Sequence, residues 1–410
     1  MIRSVKPTIP QKMTTVEEAA QIVIENKASF GIETVLIQDA LGRILQENLC
    51  ADRPFPPFDR VTMDGIAIDF SQYKNGQRTF KIEAVSPAGK PQGILSNLEN
   101  CIEVMTGTTL PSNTNTIIRY EDLKISEDHA TITVEAEVIE AQNVHYKGQD
   151  RTQNEVIVPI GRVISPAEIG VAASIGKPSI LVSKCPKAVV ISTGDELVEV
   201  NQEPLPHQIR TSNGYAIQAA LLCWGIEAEQ LHLIDDKELI ENELARCLEI
   251  FDVIIFSGGV SAGKFDYVPT ALEKLNVKKL FHKVAQRPGK PFWFGKSQNH
   301  KAVFALPGNP VSTFMCLHRY FKPWLDASQG IETKTTVATL NKDVPFKADL
   351  TYFLQVKLTQ NEDGQYEATP ITGNGSGDLA NLADADAFME LPTIKKPFLK
   401  DSKYKIYKYR

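Results

Sequence analysis

The chain has no C-x-x-C pair and no H-x-x-x-H pair. Its six cysteines, Cys50, Cys101, Cys185, Cys223, Cys247 and Cys316, lie far apart, and its seven histidines are equally scattered. Neither a zinc site nor a thioredoxin-like redox motif is indicated. Stretches such as Leu222-Cys223-Trp224 set cysteine within apolar patterns, as core thiols of a reducing cytoplasm would be. No segment approaches the ~18 uninterrupted apolar residues that a membrane span needs. The opening Met1-Ile2-Arg3-Ser4-Val5-Lys6-Pro7 lacks the apolar core of a secretory signal, so a cytoplasmic protein is expected. A basic surplus is missing too. The net charge of −6 argues against a general nucleic-acid binder, and an anionic small molecule would have to be held by local cations. There is no internal repeat and no low-complexity tract. What remains is 410 residues with 42% hydrophobic and 23% charged content. That is an ordinary globular composition, too long for one core, and it predicts about two to four domains.

Local signals organise the chain. Thr15 and Glu18 form a capping box ahead of the apolar stripe Val16, Ala19, Ala20, Val23 and Ile24, which predicts a first helix. Val35-Leu36-Ile37 reads as a strand. The Pro-rich stretch from Asp52 to Asp69 reads as a crossing between domains. Short β-type runs from Phe80 to Val138, such as Thr116-Ile117-Ile118 and Thr131-Ile132-Thr133-Val134, predict a small β domain. Ser165-Pro166-Ala167-Glu168 opens another helix, which closes at Gly176. From 186 to 328 strands and helices alternate. One helix follows Ser212-Asn213 and ends at Gly225; the next starts near Asp236 with Leu239, Leu244 and Leu248 inward. Such alternation gives a parallel sheet covered by helices on both faces. From Ile331 short strands return, among them Val337-Ala338-Thr339-Leu340 and Phe353-Leu354-Gln355-Val356, as a second β module.

Four polar motifs each follow a run that reads as a buried strand. Val189-Val190-Ile191-Ser192 leads into Thr193-Gly194-Asp195-Glu196, and Val253-Ile254-Ile255-Phe256 into Ser257-Gly258-Gly259-Val260-Ser261-Ala262-Gly263 with Asp266 beyond. Lys283-Val284-Ala285-Gln286 leads into Arg287-Pro288-Gly289-Lys290-Pro291, and Ala302-Val303-Phe304-Ala305-Leu306 into Pro307-Gly308-Asn309-Pro310. Open α/β sheets bind ligands beyond the carboxyl ends of their strands. The four ends therefore predict one composite site of carboxylates and lysine around a phosphate-like anion.

Each motif has a plainer reading. Asp195 and Glu196, Asp235 and Asp236, and Asp266 all suit helix caps or first-turn acids. Their convergence on one sheet edge favours Mg²⁺ binding by some subset, since Mg²⁺ is held by a few carboxylates and phosphate oxygens. Ser257 to Gly263 offers backbone N–H groups to an anion, or is simply a tight turn. Gly258-x-x-x-x-Gly263-Lys264 begins like a Walker A loop but continues with Phe265, so the hydroxyl that would bind Mg²⁺ is missing. Lys290, fixed between prolines, suits anion capture better than a freely solvated lysine does, and Arg287 could join it. Asn309 and Pro310 read as N-cap and first residue of a helix whose start could also accept a phosphate. Asp64, before Gly65, is a turn aspartate or a carboxylate delivered into a cleft.

Together these motifs are recognisable. Pro57-Phe58-Asp59, Met63-Asp64-Gly65, Met105-Thr106-Gly107, Thr193-Gly194-Asp195-Glu196-Leu197, Ser257-Gly258-Gly259-Val260-Ser261, Pro288-Gly289-Lys290-Pro291 and Leu306-Pro307-Gly308-Asn309-Pro310-Val311-Ser312 occur in this order. The chain resembles the MoeA family of molybdopterin molybdenumtransferases, relatives of the C-terminal part of gephyrin, over almost its whole length. The resemblance implies an enzyme that takes adenylylated molybdopterin, releases AMP and inserts molybdate with Mg²⁺. It also implies an elongated homodimer, in which the molybdopterin adenylyltransferase would be a further partner. The implied fold is α/β plus β: an N-terminal elongated domain (1–53 and 146–185), an inserted β domain (54–145), a doubly wound α/β domain (186–328) and a C-terminal β-barrel-like domain (329–410). Family functional residues map onto Asp64, Thr106, Glu196, Asp266 and Lys290, with Glu196, Asp236 (or its neighbour Asp235) and Asp266 toward the metal. Substrate contacts map onto Ser257, Gly258, Gly259, Ser261, Arg287, Pro288, Gly289, Pro307, Gly308, Asn309 and Ser376.

The chain also departs from the family. Val61-Thr62-Met63-Asp64-Gly65-Ile66-Ala67 stands where Ser-Ala-Met-Asp-Gly-Tyr-Ala is frequent. An Arg-rich stretch is here His145-Tyr146-Lys147-Gly148-Gln149-Asp150, and two arginines of the last domain correspond to Leu350 and Gln355. The alternatives are the preceding adenylyl transfer from ATP to molybdopterin, or a gephyrin-like scaffold without catalysis.

Overall fold

The computed structural model describes residues 13–260, 267–346, 349–393 and 397–410. The chain divides into two compact units. One comprises Met1–Glu33, Gly42–Ile44 and Val182–Arg410; the other comprises Thr34–Leu41 and Leu45–Leu181.

The first unit is built on a six-stranded sheet: β1 (Ala188–Thr193), β2 (Ala228–Leu233), β3 (Val253–Ser257), β4 (Lys278–His282), β5 (Trp293–Lys296) and β6 (Ala302–Leu306), in the order β2-β1-β3-β6-β5-β4. The first four in this order run parallel; β5 and β4 are antiparallel additions. Burial on both faces explains the continuous apolar runs of β1, β3 and β6. Val190, Ile255 and Phe304 point into one core, with Ile217 and Leu221 of helix α2 (Asn213–Cys223) and Val16, Ala19 and Val23 of α1 (Val16–Glu25). Their strand neighbours Val189, Ile254 and Val303 point into the other, against Ile240, Leu244 and Cys247 of α3 (Lys237–Ile250) and Ala271 and Leu272 of α4 (Val268–Lys274). Each large side chain buried this way contributes about 1.5–3 kcal/mol, so the sheet is a rigid platform for the loops at its carboxyl edge. The expected capping box of α1 forms, with Glu18 N–H donating to Thr15 Oγ1 at 3.1 Å and Thr15 N–H to Glu18 Oε2 at 2.9 Å.

Several local expectations shift. Leu239 is 39% exposed; the inward stripe of α3 is Ile240, Leu244 and Cys247. Cys223 is exposed on α2 rather than a core thiol, whereas Cys101, Cys247 and Cys316 are buried. The first strand runs Ile32–Leu36, and Ile37 already starts a 3₁₀ turn. Lys283–Gln286 is not a strand of the central sheet. Lys283 has a left-handed φ of 70°, which ends β4, and Gln286–Arg287 pairs in parallel with Thr351–Tyr352 of the C-terminal sheet. The Arg287–Pro291 loop thus leaves a different sheet from the other three motifs.

That C-terminal sheet closes on itself. Its strands β7 (Thr336–Leu340), β8 (Thr351–Gln360), β9 (Tyr366–Pro370), β10 (Ala387–Leu391) and β11 (Lys403–Lys408) pair in the circuit β8-β9-β7-β11-β10-β8. Leu340, Leu354, Val356, Met389 and Ile406 fill the barrel. Arg319, in a π-helical segment after α5 (Pro310–Cys316), pairs with Glu390 of β10 at 2.7 Å, both nearly buried.

The second unit holds another six-stranded sheet, ordered Thr116–Arg119, Gly65–Ile68, Cys101–Val104, Thr79–Ser86, Thr131–Val134 and Leu123–Ile125. The Pro-rich stretch feeds into Gly65–Ile68, which is paired on both sides and wholly buried. Pro166–Ser174 forms the expected helix behind Ser165 and Glu168. No helix among the described residues is long and apolar enough to cross a membrane.

Candidate active site

Three of the four motifs of the first unit meet at the carboxyl edge of its central sheet. β1, β3 and β6 are neighbours in register, so Thr193, Ser257-Gly258-Gly259 and Pro307-Gly308-Asn309 emerge side by side. Asn213, the first residue of α2, ties two of them together: its Nδ2 donates to Ser257 Oγ at 2.9 Å and to the Gly308 carbonyl at 2.7 Å. The sequence marks Asn213 only as a helix start; its bridging role depends on strand adjacency. Thr193 Oγ1 is buried with no hydrogen-bond partner among the described residues. Ser261 and Asp266 lie outside the described residues.

A cavity of about 620 Å³ opens beside this edge. Arg287 to Pro291 line one wall, Pro307 to Asn309 with Val311 and Ser312 the next, and Leu350, Tyr352, Gln355 and Ser376 of the C-terminal part the third. The lysine loop is clamped from below. Buried Gln286 donates from Nε2 to the Gly289 carbonyl at 3.0 Å and accepts from the Tyr320 hydroxyl, while the Lys290 carbonyl accepts from Val284 N–H at 2.9 Å. A side chain on Gly289 would lie 2.8 Å from Gln286 Nε2 and 2.9 Å from Cys316 Sγ, at a φ of 87°. Only glycine fits there. Lys290 is thereby presented exposed at the rim, with no ion pair among the described residues. Arg287 leans on Phe346, 5.9 Å from the ring centre, and Phe346 stacks on Tyr352.

Asn309 is the N-cap of α5 by position, but its side chain makes no cap. Its Nδ2 donates instead to Ser376 Oγ at 2.7 Å. The first-turn N–H of Val311 donates to the Ser376 carbonyl at 3.1 Å. Ser376, far away in sequence, is thus locked against the Pro307–Pro310 turn.

The carboxylates sit at the same edge. Asp195 and Glu196 are exposed after β1, and Asp236 after β2. The two turns touch, because Asp235 N–H donates to Asp195 Oδ1 at 3.0 Å and Gly194 N–H to the Leu233 carbonyl at 3.4 Å. Asp236 also caps α3, its Oδ1 accepting from Leu239 N–H at 2.8 Å. Among the described residues no three His, Cys, Asp or Glu stand together as a metal cluster.

In the second unit, Asp64 and Thr106 come together as a pair. Asp64 Oδ1 accepts from the Thr106 backbone N–H at 2.5 Å and from its hydroxyl at 2.7 Å. These two donors, the backbone one first, hold the exposed carboxyl below the usual aspartate range. Gly65 places it. A side chain there would collide with the Ile118 carbonyl oxygen, 1.9 Å away, so the neighbouring strand can approach only a glycine. Tyr120 N–H donates to the Asp64 carbonyl at 3.1 Å.

Three family models match the chain in succession: the MoeA N-terminal region (domains I and II) over 14–176, the probable molybdopterin-binding domain over 189–327, and the MoeA C-terminal region (domain IV) over 337–398. A Synechocystis protein named molybdopterin molybdenumtransferase is 39% identical over 388 residues, covering 94% of this chain and 97% of that one. The chain belongs to the MoeA family. A Staphylococcus aureus protein of the same name is 30% identical over 391 residues, covering 93% of this chain and 92% of its own length. The crystal structure of a MoeA molybdopterin biosynthesis protein from Pyrococcus horikoshii superposes with a TM-score of 0.80 at 28% identity, over 97% of this chain and all of that one. Within the MoeA frame, Lys290, Asn309 and Ser376 share one cavity, Glu196 and Asp236 share one edge, and Asp64 and Thr106 share one hydrogen-bonded pair.

Proposed function

We propose that this MoeA-family chain is a molybdopterin molybdenumtransferase in molybdenum cofactor biosynthesis. It accepts adenylylated molybdopterin and molybdate, releases AMP and delivers molybdenum to the dithiolene. The observation that carries this reading is the cavity in which Lys290, raised on a glycine-clamped loop, meets the Asn309–Ser376 pair. A fixed cation flanked by neutral donors is what a tetrahedral oxyanion or a phosphate needs. Lys290 and Arg287 supply charge, the Ser257-Gly258-Gly259 turn and the Pro307-Gly308-Asn309 turn supply shape and backbone donors, and Ser376 closes the third side. Asp64, held ionised by Thr106, is the further carboxylate assigned to the catalytic set.

Mg²⁺ fits the donors present. Glu196 and Asp236 are exposed hard-oxygen donors on touching turns, and this ion is bound through one or two carboxylates plus substrate phosphates. Glu196 and Asp236, with Asp266, are the residues assigned to hold it; when bound it neutralises phosphate charge. The reading includes a cytoplasmic homodimer that receives its substrate from the molybdopterin adenylyltransferase. It also includes the four-domain partition 1–53 with 146–185, 54–145, 186–328 and 329–410.

The test is AMP release from adenylylated molybdopterin with Mg²⁺, with and without molybdate. Molybdate-dependent release supports insertion. ATP-dependent adenylylation of free molybdopterin in its place moves the activity one step upstream, and inactivity in both assays leaves a non-catalytic scaffold.

A further inference from the structure

Gly65–Ile68, the strand that Asp64 precedes, lies between Thr116–Arg119 and Cys101–Val104. Both neighbours run antiparallel to it, and Ile66 stands opposite Ile118 on one side and Glu103 on the other. Residues directly opposite share a face, as do residues two apart in one strand. Tyr120, two beyond Ile118, therefore lies on the same face as Glu103. Its hydroxyl donates to Glu103 Oε1, and its N–H donates to the Asp64 carbonyl at 3.1 Å. The two outer strands are two spacings apart, roughly 9–10 Å. The tyrosine side chain thus crosses the strand end that carries Asp64 and is fastened on both sides of it. Glu103 is half-buried and forms no ion pair among the described residues. Burial of the phenol, then its hydrogen bond to Glu103 and the charges of Glu103 and Asp64, hold its pKa above the ordinary tyrosine value. It therefore stays protonated and donates.

We propose that Tyr120 and Glu103 are positioning residues for Asp64: Tyr120, anchored on Glu103, straps down the strand end from which the Asp64 carboxylate reaches Thr106. The inference rests on the catalytic role assigned to Asp64. Thr106 grips the carboxylate with two donors, but it follows Cys101–Val104, a different strand. That grip holds only while the Asp64 backbone and the end of the Thr106 strand stay in step. The strap joins the two, since Tyr120 binds the Asp64 backbone at one end and Glu103, three residues before Thr106, at the other. In this role neither side chain touches the reacting atoms. Its loss misplaces an oriented group, which lowers turnover and leaves substrate affinity largely intact.

The test measures AMP release from adenylylated molybdopterin with molybdate and Mg²⁺, and beside it hydrogen exchange of the segment that holds Thr106, both in the full chain. Tyr120→Phe keeps the ring and removes the hydroxyl. It is expected to lower kcat about tenfold with KM within about twofold, and to speed exchange of the Thr106 amide, which donates to Asp64. Glu103→Leu should match it. Glu103→Gln, whose amide oxygen still accepts from the phenol, should lose less than Glu103→Leu. Tyr120→Phe and Thr106→Val both act through the placement of Asp64, so together they should cost less than the product of their separate losses. Wild-type kcat or wild-type Thr106 exchange in Tyr120→Phe overturns the strap, as does a fully multiplicative loss in the double variant. Wild-type activity in Asp64→Ala overturns the catalytic role of Asp64 instead; faster Thr106 exchange in Tyr120→Phe would then leave the strap as an element of the fold alone.

Discussion

At the residue scale, the site depends on small groups placed where nothing larger fits. Gly289 holds the lysine loop over Gln286, Cys316 and Met315. Gly289→Ala should cost about 1–3 kcal/mol through overpacking and backbone strain. That would appear as a melting temperature several degrees lower, together with reduced molybdate binding; an unchanged melting temperature would contradict the clamp. Asp64 gives a pH prediction. Its folded pKa lies below the ordinary aspartate value because Thr106 donates to the charged form. The ionised carboxylate is therefore favoured above the ordinary value and is lost only as pH falls through the lowered one. Thr106→Val removes the hydroxyl donor and should move the acidic limb of the activity profile toward higher pH. An acidic limb at the wild-type pH would mean that Thr106 does not tune this carboxylate.

At the element scale, strand ends and helix starts double as structural and chemical positions. Asp236 caps α3 and also stands at the edge assigned to Mg²⁺. Asn caps as well as Asp does. Asp236→Asn should therefore leave the melting temperature within a degree or two while weakening activity and its Mg²⁺ dependence. Asp236→Ala should lose stability too, by about 1 kcal/mol. Full Mg²⁺ response in Asp236→Asn would reduce this residue to a cap. Much of this scale was legible in the sequence. β1, β3 and β6 are buried on both faces, so Val189-Val190-Ile191, Val253-Ile254-Ile255 and Ala302-Val303-Phe304 are unbroken apolar runs, and capping chemistry marks α1 and the helix Pro166–Ser174. What was not legible is non-local. Gln286–Arg287 looked like the end of a central strand but joins the barrel, because its partner is some 65 residues on. Leu239 looked inward because Leu and Ile are equally apolar; the contact with α4 selects Ile240. The bridge from Asn309 to Ser376 and the buried Gln355 Nε2, without a hydrogen-bond partner among the described residues, depend on the barrel's position beside the sheet within the first unit, which no local pattern encodes.

At the scale of the whole molecule, the core carries a built-in acid sensitivity. His318 is half-buried among Trp224, Phe314 and Tyr409, and its Nε2 is buried with no hydrogen-bond partner among the described residues. Burial, with Lys322 nearby, pushes its pKa down to about 4 from 6.5. The neutral ring is native and the unfolded chain binds the proton first. Stability is therefore complete above about 6.5 and falls as pH drops toward about 4, by roughly 1–3 kcal/mol. His318→Phe should flatten that slope in denaturant melts between these pH values; an unchanged slope would place the sensitivity elsewhere.

The central claim is that AMP release and metal insertion are one coupled event in a cavity organised by Lys290. A single-turnover experiment with adenylylated molybdopterin, molybdate and Mg²⁺, counting both AMP and molybdenum bound to the pterin, tests it most directly. The account predicts equal amounts of the two, with both abolished together in Lys290→Ala. AMP released without molybdenum uptake, or undiminished coupling in Lys290→Ala, would contradict it.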